Sequence, residues 1–324
     1  CQSPRGQWWF SGVDTSVGTS TGLVLSNPSP AVAVVDLHIL GPVGVVDAAG
    51  ANGIAIAPRS RVVLDLARFA PGRAALTLHV AATRGTVTAA LSTTRLDGIT
   101  PTGADWLPAS AAPTTSVVVD AGVGGVGRQS LVITNVGTRQ QVVAVRILDK
   151  SGAYTSTALT DLQVPPESVV VKDVTAILKK HPTAIQLSAA GPLTGALVSE
   201  QVGGPRDYAV SAVSDVLSTS AVVPVVNATK LTLAFATSSP TPERVRIRGV
   251  MNLGVQAGAR TVTVTGAATT TWTPPPGWGA AYLVITVPRG SDLHAVASYV
   301  GARGLAQLPV LSGRRTVFRP VVLP

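Results

Sequence analysis

With 324 residues, 46% of them hydrophobic and 13% charged, the chain is long for a single core and too apolar for disorder. Its one cysteine, Cys1, excludes an intrachain disulfide. No window reaches the roughly 18 uncharged apolar residues of a membrane-spanning helix; even the run over 31–57 is broken by Asp36, His38, Asp47 and glycines. The net charge of +9 is uneven: residues 1–112 carry +1, residues 113–215 are neutral, and residues 216–324 hold ten basic side chains against Glu243 and Asp292. That last third is the strongest partner signal in the chain.

The chain opens with CQSPRGQWWFSG, whose Gln7–Gly12 portion reads as a first strand. Alternation places Trp8 and Trp9 on opposite faces, so at most one of them fills a core. Cys1 leaves two readings open: the lipidated first residue of a mature lipoprotein, or the start of a shortened chain. Only five residues separate it from the strand, which is short for a tether.

The next strand, LVLSN at Leu23–Asn27, returns as LVITN at Leu131–Asn135 and more loosely as LTLAF at Leu231–Phe235. VVDLHILGPVG at Val34–Gly44 matches VVAVRILDKSG at Val142–Gly152. APRSRVVLDL at Ala57–Leu66 matches PPESVVVKDV at Pro165–Val174, so Asp65 falls on Asp173. Recurrence at one offset predicts three tandem units: 1–112, 113–215 and a basic 216–324. Within each, period-two alternation over four to nine residues is punctuated by Pro/Gly turns such as NPSP, APGR and TPPPG. This predicts an all-β chain of three Ig-like sandwiches of about 100 residues, each burying roughly 65% of its unfolded surface. LARFAPG and VTAILKKHP read as single helical turns between sheets. The C-terminal TVFRPVVLP reads as a closing edge strand. The competing architecture is a β-propeller with two blades per repeat; the repeats lack the half-period it needs.

The cysteine followed by WWFSG, then LVLSNPSP, APRSRVVLDL and GADWLPASAAP, resemble an uncharacterised actinobacterial family of secreted or envelope proteins, a domain of unknown function. The resemblance spans nearly the whole chain and weakens in the third repeat, where ATSSPTPE replaces the NP turn. It implies tandem β-domains, export, an extracytoplasmic place in the envelope, and members that begin with an export or anchor segment and are encoded near envelope glycosyltransferases. It implies no activity, catalytic residue or cofactor.

Chemistry-bearing motifs meet the wrong context. GTSTG (Gly18–Gly22) has the spelling of a nucleophile elbow, but a strand follows it where the elbow needs a helix. GVGGVG (Gly122–Gly127) has the phosphate-loop spelling, again ahead of a strand. His38, His79, His181 and His294 are scattered, without ligand spacing. Asp65 and Asp173 read as turn caps; Asp105, beside Trp106, is the least ordinary carboxylate. The expectation is a chain without catalytic residues, metal or cofactor.

Binding signals are firmer. In ERVRIRGV, Arg244, Arg246 and Arg248 share one strand face, and Arg314, Arg315 and Arg319 extend the charge toward the C-terminus. Such a row is either a solvated face or a surface for an anionic partner. Trp272 and Trp278 flank a triple proline; with Trp8 and Trp9 they are the candidate aromatic contacts to a glycan or protein. The expected function is a non-catalytic exported scaffold, accessory to envelope glycan assembly. Its partner would be an envelope protein such as a membrane glycosyltransferase, or an anionic envelope glycan. Membrane association through a removed N-terminal anchor belongs to this expectation; nucleic acid does not, because no aromatic–basic interleaving is present. The alternative is a carbohydrate-binding module using exposed tryptophans.

Overall fold

The computed structural model describes residues 3–125, 127–178, 181–202 and 205–313. Its strands in chain order begin with β1 (Gln7–Val13), β2 (Thr19–Asn27), β3 (Ala33–Gly41), β4 (Gly44–Val45), β5 (Ile54–Ile56), β6 (Ser60–Asp65), β7 (Leu76–Arg84), β8 (Thr88–Asp97) and β9 (Thr100–Leu107). One sheet runs β1-β7-β3-β4 with β5 also on β3, and the facing sheet runs β6-β2-β8-β9. Every ladder is antiparallel, and the two inner faces enclose a core that includes Trp8, Phe10, Leu23, Leu25, Leu78 and Leu91. The chain is thus an all-β sandwich protein, as the period-two pattern predicts.

The connectivity repeats. The third group holds β18 (Ser220–Pro224), β19 (Thr229–Thr237), β20 (Glu243–Val250), β21 (Gln256–Val264), β22 (Ala268–Trp272), β23 (Tyr282–Thr286), β24 (Leu293–Gly301) and β25 (Gly304–Pro309). They pair as β18-β23-β20-β21 and β22-β19-β24-β25. The middle group holds β10 (Thr114–Val119), β11 (Arg128–Asn135), β12 (Gln141–Asp149), β13 (Gly152–Tyr154), β14 (Leu162–Val164), β15 (Ser168–Asp173), β16 (Ala184–Gln201) and β17 (Asp207–Ala212). Here one long strand, β16, serves both sheets: its first residues pair with β10 and β12, and residues 193–201 pair with β11 and β17. Among the described residues every ladder joins strands of one and the same group. The expected sheet-to-sheet turns are a 3₁₀ turn at Leu66–Arg68 and a short helix at Thr175–Leu178. Asp65 caps the first by accepting from the Ala67 N–H at 3.0 Å, and Asp173 accepts from Thr175 N–H at 2.8 Å. The expected C-terminal edge strand lies outside the described residues.

The sandwiches are packed together, not strung on loose linkers. The first core runs on into Val132, Val169, Ala196, Val198, Tyr208 and Val210 of the middle sandwich. At about 1.5–3 kcal/mol for a fully buried valine-sized side chain, these add substantially to that contact. The second junction uses smaller groups, among them Ala121, Ala184, Ala234, Ala236 and Val296. There Thr269 donates its hydroxyl to the Leu148 carbonyl at 2.6 Å and accepts from Ala184 N–H at 3.1 Å.

The repeated asparagine explains the LVxxN signature. Asn27 is buried, and its amide reaches the carbonyls of Ala31, Ile56 and Ala57 at 2.7–3.2 Å while Oδ1 accepts from Ser29 N–H. Asn135 does the same toward Arg139, Val164 and Pro165, with Oδ1 accepting from Gly137 N–H. In the third repeat Thr237 stands in this place, and its hydroxyl accepts only from Ser239 N–H. Asn135→Ala should therefore cost about 2–3 kcal/mol by stranding buried carbonyls, and Thr237→Ala about 1 kcal/mol. Denaturant unfolding of the two variants reads the difference.

Candidate functional site

In β20, Val245 and Ile247 are fully buried, while Arg244, Arg246 and Arg248 point to solvent. Successive outward arginines lie about 7 Å apart. Their cross-strand neighbours are uncharged: Thr263, Thr261 and Ala259 on β21, Thr286 and Val284 on β23. None of the three arginines makes an ion pair among the described residues. The two acids of the third sandwich are occupied in the backbone. Glu243 accepts from Asp292 N–H at 2.8 Å, and Asp292 accepts from Ser239 N–H and the Ser238 hydroxyl. Arg314, Arg315 and Arg319 lie outside the described residues, as does Cys1.

The tryptophans divide by face. Trp8, expected as a candidate contact, is 1% exposed: it donates Nε1 to the Val87 carbonyl at 2.9 Å, and the Arg5 guanidinium covers its ring. It is a core residue and offers no face to a ligand. Trp9 lies on the outer face of β1, stacked on His79 at 3.9 Å and 4°, with His38 next across the sheet at 5.5 Å. Burial, then the neighbouring His38, push the His79 imidazole down to about 4, so the ring stacked on Trp9 is neutral at pH 7. Trp272 and Trp278 meet at 5.5 Å and 54°, and both pack against the third core. Trp278 lies over the cross-strand glycines Gly249 and Gly258, where a Cβ on either would collide with the indole. They are not a coplanar platform. Trp106, on β9, is 60% exposed. It is not among the tryptophans expected from the sequence as contacts, although its place between buried Asp105 and Leu107 gives the outward phase.

Two junctions hold titratable side chains away from solvent. Between the first and middle sandwiches, Arg95 pairs with Glu200 at 2.8 Å and Asp14 at 3.3 Å, and its guanidinium lies 3.8 Å over the Tyr208 ring. Asp105 accepts from Val210 N–H at 3.0 Å; burial drives its carboxyl up to about 7, against the pull of backbone N–H groups and Arg95. Between the middle and third sandwiches, Ser214 bonds Asp120 at 2.7 Å and His294 Nδ1 at 3.2 Å. Aspartate, serine and histidine are the residue types of a hydrolase, in the wrong order. A nucleophilic serine needs the imidazole between itself and the carboxylate; here the serine is the bridge. All three are buried. Burial drives Asp120 up to about 8 and holds His294 below its usual value.

Among the described residues no three His, Cys, Asp or Glu side chains gather as metal ligands. No helix there is long and apolar enough to cross a membrane. The last four residues of GTSTG already lie in β2, and β11 follows GVGGVG, so neither spelling meets a helix.

Fold and surfaces together define a multi-sandwich protein with packed junctions, an exposed cationic strand and one exposed indole. The chain belongs to a family of unknown function, DUF5719, whose profile matches residues 1–275. No curated protein matches the sequence.

Both junction carboxyls are held above their unfolded value near 3.8, so through these two groups the folded chain binds more protons than the unfolded one between about pH 4 and pH 8. This contribution is fully present below pH 4 and is lost as pH rises through about 7 and 8. Burial of His79 and His294, both held below the ordinary imidazole value of 6.5, pulls the other way below that pH, so unfolding at constant salt should show stability falling chiefly between about pH 6.5 and pH 8, and Asp105→Asn with Asp120→Asn should flatten the slope there.

Proposed function

We propose that this chain is a non-catalytic, exported scaffold of the cell envelope, docking through the outer face of β20 on an acidic surface of an envelope protein. The observation that carries this reading is the arginine row: three exposed guanidinium groups, uncharged neighbours on both sides, and the local acids used in loop hydrogen bonds. Cations left without partners on a flat strand favour encounter with an anionic surface, with a strength that falls as salt rises. The packed junctions support a scaffolding role by fixing this face relative to the rest of the chain. An extracytoplasmic location, and a membrane enzyme of glycan assembly as the partner, are the remaining parts of the proposal.

Changing Arg244, Arg246 and Arg248 together to Glu should lower salt-sensitive recovery of the chain on envelope membranes by about tenfold or more. The side chains are exposed, so melting should move little. Recovery equal to that of the unaltered chain overturns the role of β20.

A further inference from the structure

The last strands of the three sandwiches, β9, β17 and β25, lie side by side, and a groove of about 920 Å³ opens at their junction. Its lining includes one arginine from each sandwich, Arg95, Arg206 and Arg303, with the single carboxylate Asp207. These charges differ in availability. Arg95 is held by Asp14 and Glu200. Asp207 accepts from Ala104 N–H at 3.3 Å and Leu305 N–H at 2.8 Å, which offsets its charge. Arg206 pairs with Asp97 at 2.8 Å, but both are more than half exposed, and such a pair is worth only about 0–1 kcal/mol. Arg303 makes no ion pair among the described residues. Two guanidinium groups can therefore turn to an incoming anion.

Trp106 stands at the groove's edge. The β8–β9 ladder pairs Thr94 with Ala104, both groove-lining, and Ser92 with Trp106. Directly opposed residues share a face, so the exposed indole lies about 7 Å along β9 from the groove wall. Beyond Ser92 the sheet continues into Gly22, and the surface beside the ring is flat and hydroxyl-bearing. An indole with an open face, small hydroxyl side chains and two available guanidinium groups are complementary to a sugar ring that carries an acidic group. We propose that this groove is a binding site for an acidic glycan, with Trp106 stacking on a sugar ring and Arg206 and Arg303 taking its carboxylate or phosphate. The site is separate from the β20 arginine row and stands or falls independently of it.

The test uses the full chain with three probes: a galacturonate hexasaccharide, its methyl ester, and a phosphorylated mannan oligosaccharide. Calorimetry and tryptophan quenching by acrylamide read binding and the shielding of Trp106. At least one acidic probe should bind and shield the indole, and the neutral ester should bind tenfold or more weaker. Trp106→Ala and Arg303→Glu should each weaken the acidic probe by about tenfold or more, with unchanged circular dichroism, while the β20 triple variant should bind as the unaltered chain does. Failure of both acidic probes at millimolar concentration overturns the site. So does undiminished affinity in Trp106→Ala, or equal affinity for the acid and its ester.

Discussion

The arrangement of the three sandwiches turns on Asp207, a middle-sandwich residue whose two carboxylate oxygens accept N–H groups from both flanking sandwiches, at Ala104 and at Leu305. The approach demands space that a side chain would fill. Gly103 and Gly304 precede the two donors, both with positive φ, and a Cβ on either would run into Asp207. One carboxylate thus fixes three chain segments without a ladder between sheets. Bonds to a carboxylate are directional, the one to Leu305 at 2.8 Å being the shorter of the two, so they set relative position where alanine-rich packing alone would allow sliding. The apolar contact then supplies most of the holding energy, chiefly at the first junction, where valines and Tyr208 pack.

Much of this architecture is legible in the sequence, because its causes are local. Period-two alternation is a property of consecutive residues, so the strands, the exposed phase of Arg244, Arg246 and Arg248, and the opposition of Trp8 and Trp9 follow from spelling alone. Repeat spacing adds Asn27 with Asn135 and Asp65 with Asp173, pairs that share a hydrogen-bonding role as well as a position. The junctions are not legible in this way. Nothing near Asp207 in sequence indicates partners 103 and 98 residues away, and Asp120 reads as an ordinary strand-end carboxylate until Ser214 and His294 are brought to it.

The tryptophans show how far composition can mislead about surfaces. Paired indoles draw the eye, yet pairing in this chain accompanies burial or mutual packing: Trp8 in the core, Trp9 on His79, Trp278 against the Gly249–Gly258 floor. Trp106 is alone in its segment, and its neighbours Asp105 and Leu107 take the inward phase. β9 ends its own sheet, with β17 of the middle sandwich beside it, and neither neighbour covers the outward indole. Aromatic side chains are few here, so leaving one at 60% exposure forgoes apolar burial that the cores elsewhere capture.

The charge distribution follows the same division between local and assembled causes. In the first two sandwiches basic and acidic residues are nearly balanced, and their ion pairs gather at the junction: Arg95, Arg128 and Glu200, with Asp14 beside them. Those charges are spent on holding domains together. The third sandwich uses both of its acids to hold its loops, so none of its described arginines makes an ion pair there. Partly buried pairs at a junction are little screened, whereas an exposed arginine row is strongly screened. Rising salt should therefore act on the outer strand long before it loosens the junctions, which separates attraction of a partner from integrity of the scaffold within one chain.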